Sequence, residues 1–486
     1  MQVSIVLVVL ALLHSVLFAA EVKDPDKVLR RLQYSYTPQE VQQLRAHSAK
    51  DFMGARIAQV EQDVQARAKA PQPSMVALLE QEYHNLQGVK VLPADQASTQ
   101  QRNNGKWKTE VMAQTVEDSL GFYLNTPNGL TARWLWFWSN HFSVHSYKGY
   151  VRLFLRHYET NGIGAHVLGT FPELLKSAAL HPAMLVYLDN QQNRKDKLNE
   201  NLAREILELH TLGEGQGYTQ ADVQALAKAL TGYTAPKINE PGSGNLCRKA
   251  GCVAVGDSGA LFDPSLHDTS NKVFMGKTYA GRADGLELFD MLNDIALNPA
   301  TAQRIAKRMA VYFVGDEPPP ALVEQLKKVY IKSGGNLKMM LSELLTHPSF
   351  LQAQHRWVSD PFNHWVGQLR DLKSLGIDCP PNALLRFLRQ TGAAHYGRIS
   401  PDGYPLTSEY WDSASTLSIR LDVADAVVST LGKHNKQQGN DFNRTKVLEA
   451  LKAKLGQSSQ QSMRPYEKDW ARWLNLYLVS PEVVYF

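Results

Sequence analysis

Cysteine is scarce in this chain. Three occur in 486 residues: Cys247, Cys252 and Cys379. So few exclude a small disulfide-framed scaffold and a cysteine-rich zinc ribbon. In an oxidising compartment the "CRKAGC" pair, Cys247 and Cys252, could close one small loop, with Cys379 left over. Excess charge is lacking too. A formal net charge of +5, with no long Lys/Arg run, excludes the footprint of a nucleic-acid binder. There is no G-x-S-x-G elbow, no Walker A loop and no glycine fingerprint after a strand. No cysteine stands in a recognisable catalytic context. Beyond residue 20, no stretch is long and apolar enough to span a bilayer.

What is present begins with an apolar leader. "MQVSIVLVVLALLHSVLFAA" is followed at once by "EVKDPDK". Residues 1–20 read as a cleaved signal peptide, which makes the protein exported, periplasmic or extracellular. The leader has no Lys or Arg before its apolar run, and a membrane anchor is the alternative. Hydrophobic residues are 44% and charged residues 20%, a globular balance. The length exceeds one usual core. Residues 21–486 read as a single helical domain with two packed lobes, 21–233 and 283–486. A Gly/Ser/Pro-rich segment, 234–282, joins them.

Helical signals dominate, and strand-like alternation is rare. Val223, Leu226, Ala227 and Leu230 make one buried stripe, opened by Thr219 with Asp222 and closed by Gly232. Asn298 and Pro299 start another helix. "DGLELFDMLNDIAL" and "NLKMMLSELL" read alike. "LLKSAALHPAML" and "MLSELLTHPSFL" are each a helix broken at His-Pro, either a duplicated hairpin or one corner solution used twice. The fold class is therefore all-α, multi-helical, with long irregular loops, one of them at "YGRISPDGYPLTSEYW".

Three clusters could carry chemistry. In "NENLAREILELHTLG", Asn199 caps a helix running to about Leu212. Glu200, Arg204 and Glu208 form one ladder on it, while Glu205 falls nearer the apolar face with His210. A carboxylate half withdrawn from water must be paired, protonated or metal-bound. In "RWLWFWSNHFSVH", Trp134, Trp138, His141 and His145 share a helical face, and His141 with His145 has metal-ligand spacing. The plain alternative is an aromatic core. In "LHDTSNKVFMG", His267, Asp268 and Lys272 suit acid–base work or anion binding, or simply a turn held by Asp268.

Together with "HPAMLVYLDN", "GYTQADVQALAKALTGYT", "NPATAQRIAKRMAVYFV", "EYWDSASTLSIRL" and "SPEVVYF", these stretches resemble, in order, the bacterial family catalogued as domain of unknown function 1800. The resemblance starts at "VLRRLQYSYTP" and covers nearly the whole mature chain. It implies a mostly helical, commonly exported protein. Its motif matches here at Asn140, His141, Asp189, Asn190, Asn199, Glu200, Asn201, Arg204 and Glu205. It matches further at Glu208, His210, Thr211, Gly213, Asp222, His267, Asp268, Lys272 and Gly276. The chain departs at Tyr233, where a tryptophan is usual, and at Phe486, where an arginine is frequent.

The combined expectation is one polar cleft in which distant acids, imidazoles and cations meet. Glu205, His210, His267 and Asp268 would be catalytic. Trp138, Asn140, Arg204 and Lys272 would bind substrate, and His141 with Glu208 would ligate a divalent metal. The reaction class would be metal-assisted hydrolysis. The competing class is a non-catalytic envelope protein, partnered by another exported protein or a polysaccharide, whose charged motifs are a structural network. An active cleft requires these groups to face solvent together; a scaffold requires them paired among themselves.

Overall fold

The structure, a computed structural model, describes residues 22–71, 73–236, 251–352, 357–440 and 442–485. The expected signal segment 1–20, Cys247 and Phe486 lie outside them. The fold is all-α, as the helical patterning requires.

Helix α1 (Pro25–Gln33) and α2 (Ala49–Lys69) precede a long helix, α3 (Ala94–Asn125). Helix α4 (Gly129–His141) follows and is buried on every side. A helix with no solvent face belongs to the centre of a fold. Its aromatic run explains this: Trp134 stacks on Phe137, and Trp136 stacks on Phe362. Gly129 lets α4 approach α1 closely, because a Cβ there would strike the Gln33 carbonyl. The stripe Trp134–Trp138–His141 is helical as expected, but His145 is not part of it. The helix stops at Phe142, whose carbonyl accepts the Tyr158 hydroxyl at 2.7 Å.

The two His-Pro corners share a mechanism. Helix α5 (Phe171–Ala179) is followed by α6 (Pro182–Tyr187), and His181 Nδ1 accepts the Ala183 N–H at 3.1 Å. Next come α7 (Asn201–Glu205) and α8 (Gln220–Ala229). Helix α8 opens with the anticipated reciprocal cap between Thr219 and Asp222, and Gly232 beyond it takes φ +85°. The irregular segment after α8 carries short strands. β1 (Tyr233–Thr234), β2 (Val253–Val255) and β3 (Ala260–Phe262) form an antiparallel sheet in the order β1-β3-β2. β4 (Lys272–Phe274) and β5 (Lys277–Tyr279) form a hairpin. Its turn needs positive φ at both central positions, met by Met275 and Gly276. Asp222 Oδ1 accepts the Met275 N–H at 2.5 Å, tying the hairpin to α8.

The second half contributes α9 (Glu287–Ala296) and α10 (Pro299–Val314), the latter capped by Asn298. Helix α11 (Leu337–Thr346) ends at His347, whose Nδ1 accepts the Ser349 N–H at 3.2 Å and starts α12 (Pro348–Leu351). This is the His181 solution repeated. Helix α13 (Pro361–Ser374) packs under α4 through Phe362. Buried apolar side chains form one cluster running from Val28 to Val484. No described helix is long and apolar enough to cross a membrane. Helices α4, α7 and α10, with the loop near residues 393–407, enclose the region described next.

Candidate functional site

The approach to α7 is fixed by asparagines. Asn190 Nδ2 donates to the Tyr233 carbonyl at 2.8 Å, and Asn193 Oδ1 accepts the Asn199 N–H at 2.9 Å. Asn199 Oδ1 accepts the Asn201 N–H at 3.0 Å. These short amides tie down backbone groups that a helix start leaves open. The ordinary helix expected to reach Leu212 ends at Glu205. From Ile206 to His210 the chain continues as a π-helix. The Thr211 hydroxyl donates back to the Ile206 carbonyl at 2.6 Å, and Gly213 follows at φ +104°. Single π turns inside helices often mark functional positions.

Arg204 forms the anticipated ladder, 3.0 Å from Glu200 and 3.3 Å from Glu208. Glu205 is left out of it. This half-buried carboxyl has neither a hydrogen bond nor an ion pair with any described residue. Burial raises its pKa above the usual carboxylate value, and the negative charge of Glu208 raises it further. Asp402 acts in the same direction, and Arg204 opposes. Three carboxylates thus stand on two turns, two of them held by one arginine and the third half-buried without an ion pair.

Behind this turn lie two imidazoles and two guanidiniums. His141 Nε2 donates to the His210 carbonyl at 3.0 Å, which fixes the tautomer and leaves Nδ1 an acceptor without a partner. His210 is fully buried, and neither of its ring nitrogens has a partner. Burial, then the Arg304 and Arg308 charges, lower its pKa to about 3, so the ring is neutral. His141 is held well below its ordinary value by burial and then by Arg308. Arg304 and Arg308 come from α10. Arg304 Nη2 donates to the Leu209 carbonyl at 3.1 Å. The Nε atoms of both arginines are buried without partners.

The loop over this region is clamped to α4. Asn140 Nδ2 donates to the Tyr404 carbonyl at 2.8 Å and Asn140 Oδ1 accepts the Tyr404 N–H at 2.6 Å. Arg398 and Asp402 pair within the loop at 3.0 Å, and the Tyr187 hydroxyl donates to the Ile399 carbonyl at 2.6 Å. A cavity of about 10 Å³, the room of one water, lies beneath it. Ser139, His395, Tyr396 and Arg398 are among its walls. On the other side of His395 sits a buried charge network. Glu159 accepts from Arg67 at 2.8 Å and also meets Ser119 and Tyr396. Burial pushes Glu159 up, but Arg67, then His395 and Ser119, outweigh it, and the pKa falls to about 2.

The third cluster is a separate group. His267 is buried, with Nδ1 donating to the Thr231 carbonyl at 2.7 Å and Nε2 facing Glu287 Oε1 at 3.0 Å. Lys272 donates to the same carboxylate oxygen at 2.6 Å. Asp268 accepts from the Ser270 N–H at 2.8 Å, closing its own turn. No described hydrogen bond or ion pair links these residues to Glu205, His210 or His141. Among the described residues, His267, Lys272 and Glu287 pair with one another, whereas Glu205, His210 and Arg308 have no ion pair.

Other expected roles are placed differently as well. Trp138 is fully buried among Trp134, Phe137, Phe142 and Phe171, so it is core and presents no wall. Asn140 spends its amide on the loop. His141 and Glu208 are engaged apart, on the His210 carbonyl and on Arg204. Among the described residues no three His, Cys, Asp or Glu side chains converge as a metal site would require. Cys379 is buried, with burial pushing its thiol up to about 12.

Arg304, Arg308, Asp402 and Glu287 were not foreseen. A signal existed for two of them: "RIAKR" puts like charges at i, i+4, which no isolated helix gains from. Glu287 stands four residues before the buried Met291, a carboxylate on the apolar face of α9. Asp402 left no mark, being one acid in a loop.

The family model described as "Protein of unknown function (DUF1800)" matches residues 27–485. No curated protein and no solved structure matches the chain.

Proposed function

The chain belongs to the DUF1800 family, and we propose that it is an exported hydrolytic enzyme with Glu205 as its general acid–base. The observation that carries this reading is the isolation of Glu205. Its neighbours Glu200 and Glu208 are both paired with Arg204, while Glu205 is half-buried without a partner. A carboxyl whose pKa is raised by burial and a neighbouring negative charge is suited to general acid–base work. Glu208 beside it remains paired, so the two acids differ in environment and can differ in role. No step of this reading needs a metal. Export is part of the proposal through the apolar leader at residues 1–20.

The competing structural reading fits the other cluster. His267, Lys272 and Glu287 satisfy one another, as a scaffold requires.

The test is a panel of ester, amide, glycoside and phosphomonoester substrates, run on the wild-type chain and on Glu205→Gln. Turnover of one class by the wild type, reduced about 100-fold or more in the variant, supports the reading. Equal turnover by both proteins, or none by the wild type, removes it.

A further inference from the structure

We propose that Arg304 and Arg308 form a binding site for an oxyanion, the phosphate or carboxylate group of a small molecule. As a statement of substrate class this rests on the acid–base reading of Glu205; the binding itself does not. The two arginines are one turn apart on α10 and face the same way. No carboxylate among the described residues lies within ion-pair distance of either. Arg304 has one hydrogen bond, to the Leu209 carbonyl, and the Nε of each is buried and bare. Two like charges at i, i+4 repel, and a charge withdrawn from water without a direct ion pair is costly. Helix packing gains nothing from this arrangement. A ligand of opposite charge removes both penalties.

The surroundings fit that ligand. His210, fully buried, offers one N–H with no acceptor, and its ring is neutral, so it adds a donor without a third positive charge. Planar guanidinium forks match the paired oxygens of carboxylate or phosphate. Gly213 keeps the space open: a Cβ there would sit 3.2 Å from Arg304 Nη1. Burial lowers the pKa of Arg304, and lowers that of Arg308 to about 10 with Arg304's charge adding to it. These are shifts that a bound anion would reverse. Asp402, whose charge reaches both Arg308 and Glu205, is held by Arg398 in the covering loop. An anionic substrate anchored at α10 would have to extend to Glu205 for the two readings to describe one site.

The test is isothermal titration calorimetry of the full purified chain with inorganic phosphate, and separately with succinate. Ionic strength is held constant with sodium chloride. Saturable binding of at least one probe is expected, weakened about tenfold or more in Arg308→Gln and in Arg304→Gln. Without probe, these variants should melt no lower than the wild type, since each relieves the repulsion between the two guanidiniums. Arg308→Lys keeps the charge but loses the fork; it should fold and bind more weakly than wild type. No binding of either probe by the wild type, or equal binding by both glutamine variants, overturns the proposal. Glu205→Gln in the same titration separates the two readings, because it should still bind the probe. Probe binding lost only in the arginine variants, with no hydrolysis by the wild type, would sustain the anion site and remove the acid–base reading. Hydrolysis dependent on Glu205 without probe binding would do the opposite.

Discussion

Asn140 grips Tyr404 by both of its main-chain groups, amide to carbonyl at 2.8 Å and carbonyl to N–H at 2.6 Å. One side chain from the buried helix α4 thus substitutes for a strand partner and holds the loop in place. Gly403 makes the grip fit, at φ +74°, because a Cβ there would collide with the Asn140 carbonyl.

Asn140→Ala should cost about 1–3 kcal/mol of stability, since it leaves two buried backbone groups of the loop unsatisfied. Gly403→Ala should destabilise as well, through backbone strain and the collision. Urea denaturation measures both. An Asn140→Ala midpoint equal to wild type would show that the loop holds itself.

Glu205→Gln should raise stability at pH 7.5 and not at pH 4. The folded-state pKa of Glu205 is raised, so the folded protein binds its proton more tightly than the unfolded chain does. Stability from this group is present below its unfolded value of 4.5 and is lost as pH rises through the folded value. Glutamine avoids that loss. Melting temperatures at the two pH values decide it, and a gain at pH 4 of the same size would contradict the assignment.

The wild type should lose stability as pH falls below about 6.5. His210 is depressed from 6.5 to about 3 in the folded state. Between those values the unfolded chain takes up a proton that the folded chain refuses, so stability declines toward acid. His141, His181 and His364 are held low by burial in the same way and add to the slope. His210→Gln should make the decline of melting temperature between pH 7 and pH 5 shallower. An unchanged slope would mean that His210 does not titrate as its surroundings require.

Glu287→Leu should destabilise by about 3–5 kcal/mol, because the buried Lys272 ammonium loses its carboxylate partner inside the protein. Adding Lys272→Met should recover part of the loss, since the stranded charge is gone. Denaturation of the single and double variants measures the coupling. Strictly additive losses would contradict a paired network.

The elements most legible in the sequence were those marked by local chemistry. Thr219 with Asp222, Asn298 before Pro299 and Asn336 before Leu337 each announce a helix start through one side-chain acceptor. The end of α4 was hidden, because Phe142 is stopped by the Tyr158 hydroxyl arriving from elsewhere in the chain. The Glu200–Arg204–Glu208 ladder followed from spacing alone. What Glu205 faces did not, since Asp402 comes from a loop nearly two hundred positions away. His267 read as a catalytic group and Lys272 as a substrate-binding one without sight of Glu287, the partner both face, because it is on another helix.

The π turn at Ile206–His210 has a consequence for chain length. It holds one residue more than the same rise of α-helix would, and His141 depends on it through the His210 carbonyl. Deleting a residue between Ile206 and His210 would let the turn relax to ordinary geometry. The residues left in the turn would be re-aimed, each by up to about 100°. His210 would then swing out from behind the guanidiniums, and His141 would lose the oxygen that sets its ring. A surface loop absorbs a one-residue difference silently; here the register of two imidazoles counts it.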